Sequence, residues 1–214
     1  MLDTGALCSA ARDEVGCHWF AEHFKGRLYT TDVIVEEIKN RARRPASPEE
    51  QLMKLAANDA LRRLITPSKI EIASLDDSMW AHYDTAMHQL RNLADGRTAN
   101  AHAARTADRH GGEASAIAWS KKKVGSGTQV VLVTNDGDAS TVASAHGIEV
   151  RHFGHALHEL VCASHISADA AWNLYQRATG MSGIPNAAAF TSATELTCPT
   201  TPNECAACAT LRKV

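Results

Sequence analysis

The run Gln129–Thr134 (QVVLVT) constrains the fold of this chain more than any other segment. A continuous apolar strand with no polar alternation needs cover on both faces, the habit of a strand inside a parallel sheet. The segments around it alternate in kind. Residues 1–3 read as the end of a first strand, and Arg27–Thr31, Ile70–Ala73 and Glu149–Phe153 as further short ones. Helical stretches separate them. The pattern predicts helix over residues 5–25, then from Val33 to Arg44 with Asp32 as N-cap and Pro45 as the stop. Another helix is entered through Ser47-Pro48-Glu49-Glu50 and runs to Leu64. Helix resumes from Asp76 to Lys123, with breaks near Gly96 and Gly111-Gly112. Thr141–His146 is a short helix ended by Gly147, and residues 155–179 are helical. Strands alternating with helices predict a parallel sheet covered on both faces.

Composition narrows the class. The chain has 214 residues, 44% of them hydrophobic, which suits one domain with an extension. The expected division is a main domain over 1–160, a helical extension over 161–180 and a tail over 181–214. In that tail the residues shift to Ala, Thr, Pro, Asn and Cys with little periodicity, which reads as loose order. A net charge of −2 excludes a chain that binds nucleic acid by bulk charge alone. Basic residues do cluster, at Lys39, Arg41, Arg43 and Arg44 and again at Arg105 and Arg109. No apolar run is long enough for a membrane span, and no signal peptide is visible. Six cysteines without such a signal read as cytosolic thiols, so a cytoplasmic protein is expected. Cys198, Cys205 and Cys208 form C-x6-C-x2-C, but a structural zinc site wants four ligands and no histidine follows residue 181. Free thiols are the expectation there.

Four acidic islands sit at the edges of apolar stretches: Asp3 in MLDTGAL, Glu37 in DVIVEEI, Glu113 in HGGEASAIAWS, and Asp136 with Asp138 in VLVTNDGDAS. A lone buried carboxylate is costly, so such groups neutralise, pair, or bind a cation. Ligands of open α/β sheets sit beyond the carboxyl ends of the strands, where Asp3 and Asp136 fall. On the helix after Asp32, an advance of about 100° per residue sets an apolar arc through Val33, Ile34, Val35, Ile38 and Ala42. Glu37 lies within that arc and Glu36 outside it. Each acid also has an ordinary structural role open to it. Glu37 can pair with Arg41 one turn on. Glu113 can favour a helix N-terminus. Asp138 can be an N-cap, and Asp136 and Asp3 can be turn formers. Gly111-Gly112 removes side chains where a substrate backbone would approach.

Taken together and in order, MLDTGAL, TTDVIVEEI, GGEASAIAW and VLVTNDGDAS resemble the four acidic motifs of PIN domains, which are metal-dependent ribonucleases. VapC-type toxins are the members most similar in size. The resemblance implies an α/β fold, a three-layer α/β/α sandwich around a central parallel sheet, with a pocket for Mg²⁺ or Mn²⁺. It implies an endoribonuclease hydrolysing RNA phosphodiesters, with an antitoxin protein and a homodimer as expected partners. Asp3, Glu37, Glu113 and Asp136 match the acidic positions. Those four are the expected catalytic residues; Asp3, Glu113, Asp136 and the accessory acid Asp138 are the expected metal ligands, with Thr4 and Thr134 as supporting hydroxyls. Arg41, Arg43, Arg44, Arg105 and Arg109 are the candidates for holding the RNA backbone. The chain departs from the pattern in three ways. Only Met1 and Leu2 precede Asp3, the third acid is Glu, and the stretch from Glu37 to Glu113 is long. A dehalogenase-like phosphatase also begins with a strand-end Asp but needs an acid two residues on, where this chain has Gly5. A PIN-like module without catalysis, acting as an RNA-binding or scaffold unit, is the alternative.

Overall fold

The computed structural model describes residues 1–47, 50–95, 110–182 and 190–197. The pairs β1 (Tyr29–Thr31) with β2 (Glu71–Ala73) and β3 (Val131–Val133) with β4 (Glu149–Arg151) are both parallel. Residues 1–3 stitch them together. Leu2 donates to the Tyr29 carbonyl at 2.8 Å and bridges Val133 in parallel, while Asp3 donates to the Val133 carbonyl at 3.2 Å. The spatial order is therefore β2, β1, the Met1–Leu2 segment, β3, β4. The first strand is reduced to this bridge. Val131, Leu132 and Val133 are all buried. Successive strand residues face opposite sides, so the sheet is covered on both faces at β3.

The helices supply that cover. α1 (Thr4–Ala11), α2 (Glu14–His23) and α3 (Asp32–Arg43) come first, then α4 (Gln51–Ala60), which passes into a π turn over Leu61–Ile65. After β2 come α5 (Asp77–Asp95) and α6 (Gly111–Gly125). α7 (Gly137–Ala145) links β3 to β4, and α8 (Phe153–Cys162) and α9 (Ala168–Ser182) follow. α6 packs on β1 and β3 and against α3 and α5. Leu7, Ile34, Ile38, Ile117 and Leu132 are fully buried in one core. Each such side chain stabilises the fold by about 1.5–3 kcal/mol of transfer free energy. Among the described residues no helix is long and apolar enough to cross a membrane.

Several boundaries differ from expectation for local reasons. The helix expected over residues 5–25 is two, because the Asp13 carboxylate accepts from Gly16 N at 3.0 Å and starts α2 afresh. The helix expected over 155–179 is also two. It breaks where Ser164 adopts φ 60° and His165 N closes back on the Leu160 carbonyl at 3.0 Å. The cap of α3 is Thr31, not Asp32, and the cap of α7 is Asp136, not Asp138, so α7 begins at Gly137 instead of Thr141. Ser47 and Glu50 exchange bonds before α4, the Glu50 amide to Ser47 Oγ at 3.3 Å and the Ser47 amide to Glu50 Oε2 at 3.0 Å. Pro48, Glu49 and Gly96 lie outside the described residues, as do Cys198, Cys205 and Cys208. Within the segment read as tail, a 3₁₀ turn at Ala193–Leu196 buries Leu196, and Phe190 packs on Tyr175. A further tie escaped the pattern altogether. Fully buried Glu159 of α8 pairs with His23 of α2 at 2.8 Å, and His23 in turn meets His165 at 2.9 Å.

Candidate active site

Parallel strands deliver their following residues to one edge of the sheet, and four acids arrive there from four elements. Asp3 leaves the Met1–Leu2 segment and caps α1, accepting from Ala6 N at 2.6 Å. Its other oxygen accepts from Thr134 Oγ1. Thr134 follows β3, and its hydroxyl also receives the Asp136 amide at 3.0 Å, which ties the two aspartates to one side chain. Asp136 caps α7, with Oδ1 accepting from the amides of Asp138 and Ala139, each at 2.8 Å. Glu37 comes from α3, the helix that follows β1. Its Oε2 accepts from Thr4 Oγ1 at 2.7 Å, and its Oε1 pairs with Arg41. Glu113 lies in the first turn of α6.

The electrostatics mark these acids as one group. Asp3, 2% exposed, has its carboxyl pushed up from the ordinary 3.8 to about 6. Burial is the main cause and the charges of Asp136 and Glu37 add to it, against the pull of its bonds to Thr134 and Ala6. Glu113 is pushed further, to about 8, again first by burial and then by Glu37, Asp3 and Asp136. Its Oε2 is sealed from solvent and has no hydrogen-bond partner. The ordinary explanations therefore divide the group. Asp3 and Asp136 are helix caps, and Glu37 has its pair with Arg41. Glu113 has the N-terminal turn of α6, but its buried Oε2 has no bond.

Gly112 sits at the centre. A Cβ there would lie 2.5 Å from Glu37 Oε2 and 2.8 Å from Thr4 Oγ1. The sequence suggested that Gly111-Gly112 opens room for a substrate backbone. The space at Gly112 is instead taken by Glu37 and Thr4, whose contact spans 33 residues of sequence and leaves no local pattern. Gly112→Ala should lower any activity of this site by about 100-fold, the scale of an ångström-sized misplacement in a reacting group. Alanine is the better helix former by about 1 kcal/mol, but its Cβ must push into the Glu37–Thr4 contact, and such overpacking costs about 1–3 kcal/mol, so the melting temperature should fall only modestly. Turnover and thermal melting of the one variant measure the two effects apart.

The remaining candidates are placed as follows. Glu36 is exposed and pairs with Lys39 at 2.5 Å, facing away from the Glu37 contacts. Asp138 is buried on the first turn of α7. Arg41 is half-buried on Glu37, while Arg43 and Arg44 stand exposed at the end of α3. Arg105 and Arg109 lie outside the described residues.

Among the described residues no three His, Cys, Asp or Glu side chains converge tightly enough to hold an ion by themselves. The site is an electronegative basin and not a closed cage. That suits Mg²⁺, which keeps several waters and takes only one or two direct carboxylates. The donor set is all oxygen, and the unpartnered Glu113 oxygen supplies a group that a cation would satisfy. The residues present fit a hard divalent cation.

No curated protein and no solved structure matches the chain. A sequence model of the PIN domain matches residues 1–145, a span that ends with α7 and contains every acid of the basin. The chain therefore belongs to the PIN domain family, a family of nucleases that are generally metal-dependent.

Proposed function

We infer that the protein is an endoribonuclease that uses Mg²⁺ or Mn²⁺ to hydrolyse RNA phosphodiesters, with the acidic basin as its active site. The buried, unpartnered Oε2 of Glu113 carries this reading. A catalytically silent module has uses for Asp3 and Asp136 as caps and for Glu113 at the start of α6, but not for a Glu113 oxygen left buried without a bond beside three other acids. Asp3, Asp136 and Glu113 would hold the cation, with Asp138 beside them. A cation there supplies positive charge to the phosphoryl oxygens and acidifies a water. Thr134 sets the spacing of the two aspartates. Glu37, its oxygens fixed by Thr4 and Arg41, orients the attacking water. The water oxygen bonds to phosphorus as the bond to the 3′ oxygen breaks, the proton that the water gives up passes through solvent to that leaving oxygen, and Arg43 and Arg44 take up neighbouring phosphates.

Purified protein should cleave single-stranded RNA with Mg²⁺ or Mn²⁺ and fall silent in EDTA. Protons on Glu113 and Asp3 compete with the cation. At limiting Mn²⁺ the rate should therefore rise from pH 6 to pH 8, the range between their raised values. It should flatten at saturating Mn²⁺. A rate indifferent to chelator would remove the basin from the chemistry. A role as the toxin of a toxin–antitoxin pair, in the cytoplasm, belongs to the same reading. Expression alone should then arrest growth, and co-expression of a small adjacent reading frame should relieve it.

A further inference from the structure

The two helices that carry Glu37 and Glu113 are joined by a buried chain of hydroxyls. Thr31 caps α3 and accepts from Ile34 N at 3.3 Å. Its Oγ1 lies 2.6 Å from Ser115 Oγ on α6, a residue 84 positions away in sequence. Ser115 Oγ donates to the Gly112 carbonyl at 2.7 Å. Both hydroxyls are fully buried.

Counting protons orders the chain. Ser115 has one hydroxyl proton, and the Gly112 carbonyl takes it. The proton between Thr31 and Ser115 therefore belongs to Thr31, which receives the Ile34 amide in return. The bonds run in one direction, from the first turn of α3 to the backbone of Gly112. Gly112 is the residue whose Cα leaves no room beside Glu37 and Thr4, and Glu113 follows it immediately. A slip of α6 along α3 would move Glu113 relative to Glu37 and drive Gly112 toward the Glu37 carboxylate. Neither hydroxyl touches the acids, so any influence runs through the backbone they fix.

We propose that Thr31 and Ser115 are positioning residues for the acidic site, setting through their shared hydrogen-bond chain the distance and angle at which Glu37 and Glu113 face one another. The proposal rests on the reading of the basin as a cation-dependent ribonuclease site.

The test is Mn²⁺ binding, read from the electron paramagnetic resonance signal of the free ion, alongside kcat and KM on a single-stranded RNA. Ser115→Ala should weaken Mn²⁺ binding about 10-fold, the lower end for loss of an outer-shell partner. It should lower kcat by a similar factor with KM for RNA nearly unchanged. Thr31→Val should do the same, and Thr31→Ser, which keeps the hydroxyl, should restore both. If Ser115→Ala fails to fold, Ser115→Cys keeps the volume with a much weaker donor and should show the same loss of Mn²⁺ affinity. A role in stability alone would lower the melting temperature and leave Mn²⁺ binding untouched, which overturns the proposal. Equal losses in Thr31→Ser and Thr31→Val also overturn it, because keeping the hydroxyl would then rescue nothing. A wild-type protein that binds Mn²⁺ without cleaving RNA defeats the ribonuclease reading alone, and the Mn²⁺ titrations still judge the hydroxyl chain. A wild type that binds no Mn²⁺ defeats both.

Discussion

Asp3→Asn should abolish RNA cleavage while leaving the metal-free protein as stable as the wild type or more so. The loss should be at least about 10²–10³-fold, the scale on which one group of a preorganised electrostatic site acts. The substitution keeps the volume and one oxygen for the Ala6 amide. It removes a buried charge that the fold holds at a cost. The folded value of Asp3 stands at about 6 against an ordinary 3.8, so the folded chain binds this proton more tightly than the unfolded one. Stability from that proton is fully present below about pH 4 and is lost as pH rises through 6. The penalty removed by Asn above pH 6 is at most about 3 kcal/mol, offset in part by weaker bonds to Thr134 and Ala6. The difference in melting temperature between variant and wild type should therefore grow from pH 4 to pH 7 in chelator. A fixed difference across that range would mean that Asp3 is not strained by its charge.

Glu37→Gln should lower cleavage by about 10²-fold or more, and Glu36→Gln should leave it nearly unchanged. The two residues are neighbours in sequence and differ only in where α3 points them. Glu37 holds Thr4 and Arg41 at the edge of the basin, and Glu36 holds Lys39 in solvent. The Glu37–Arg41 pair is partly exposed and one helical turn apart, so its loss should cost only a few tenths of a kcal/mol. A fall in activity without a matching fall in melting temperature separates function from folding here. If Glu36→Gln were the damaging change, the site would lie on the other side of α3.

The helix phase behind that pair was legible in the sequence because α3 is amphipathic: the spacing of Val33, Ile34 and Ile38 by itself defines a face. The buried strand at QVVLVT was legible for the same kind of reason, since an unbroken apolar run leaves a parallel sheet as its natural setting. What escaped were features that one residue decides or that join distant segments. Asp13 splits α1 from α2 within a stretch whose Ala, Cys, Trp and Phe residues read as one apolar helix. Ser164 ends α8 in a left-handed conformation that glycine usually takes, so nothing in the local composition announced it. The choice of caps fell one or two residues away from expectation because Thr31 and Asp32, and Asp136 and Asp138, are all competent capping residues.

In the site, the acids were visible as types at strand ends, but their neighbours were not. The contact of Gly112 with Glu37 and Thr4, the sharing of Thr134 by Asp3 and Asp136, and the Thr31–Ser115 bond all cross long stretches of chain. Periodicity carries no information about such pairs. The burial that raises Glu113 to about 8 is likewise a property of α6 packed against α3 and the sheet, and HGGEASAIAWS by itself reads equally well as an ordinary acidic helix start.

The central claim is that the basin formed by Asp3, Glu37, Glu113 and Asp136 binds a divalent cation. Crystals of the wild-type protein soaked in MnCl₂ at about pH 8, where about half of Glu113 is ionised before any cation binds, test it most directly. The expected result is an anomalous difference peak among these carboxylates, with Asp3 or Asp136 in direct contact, water completing the shell, and no peak in Asp3→Asn crystals soaked in the same way. An empty basin at saturating Mn²⁺, or a peak only elsewhere on the protein, would contradict it.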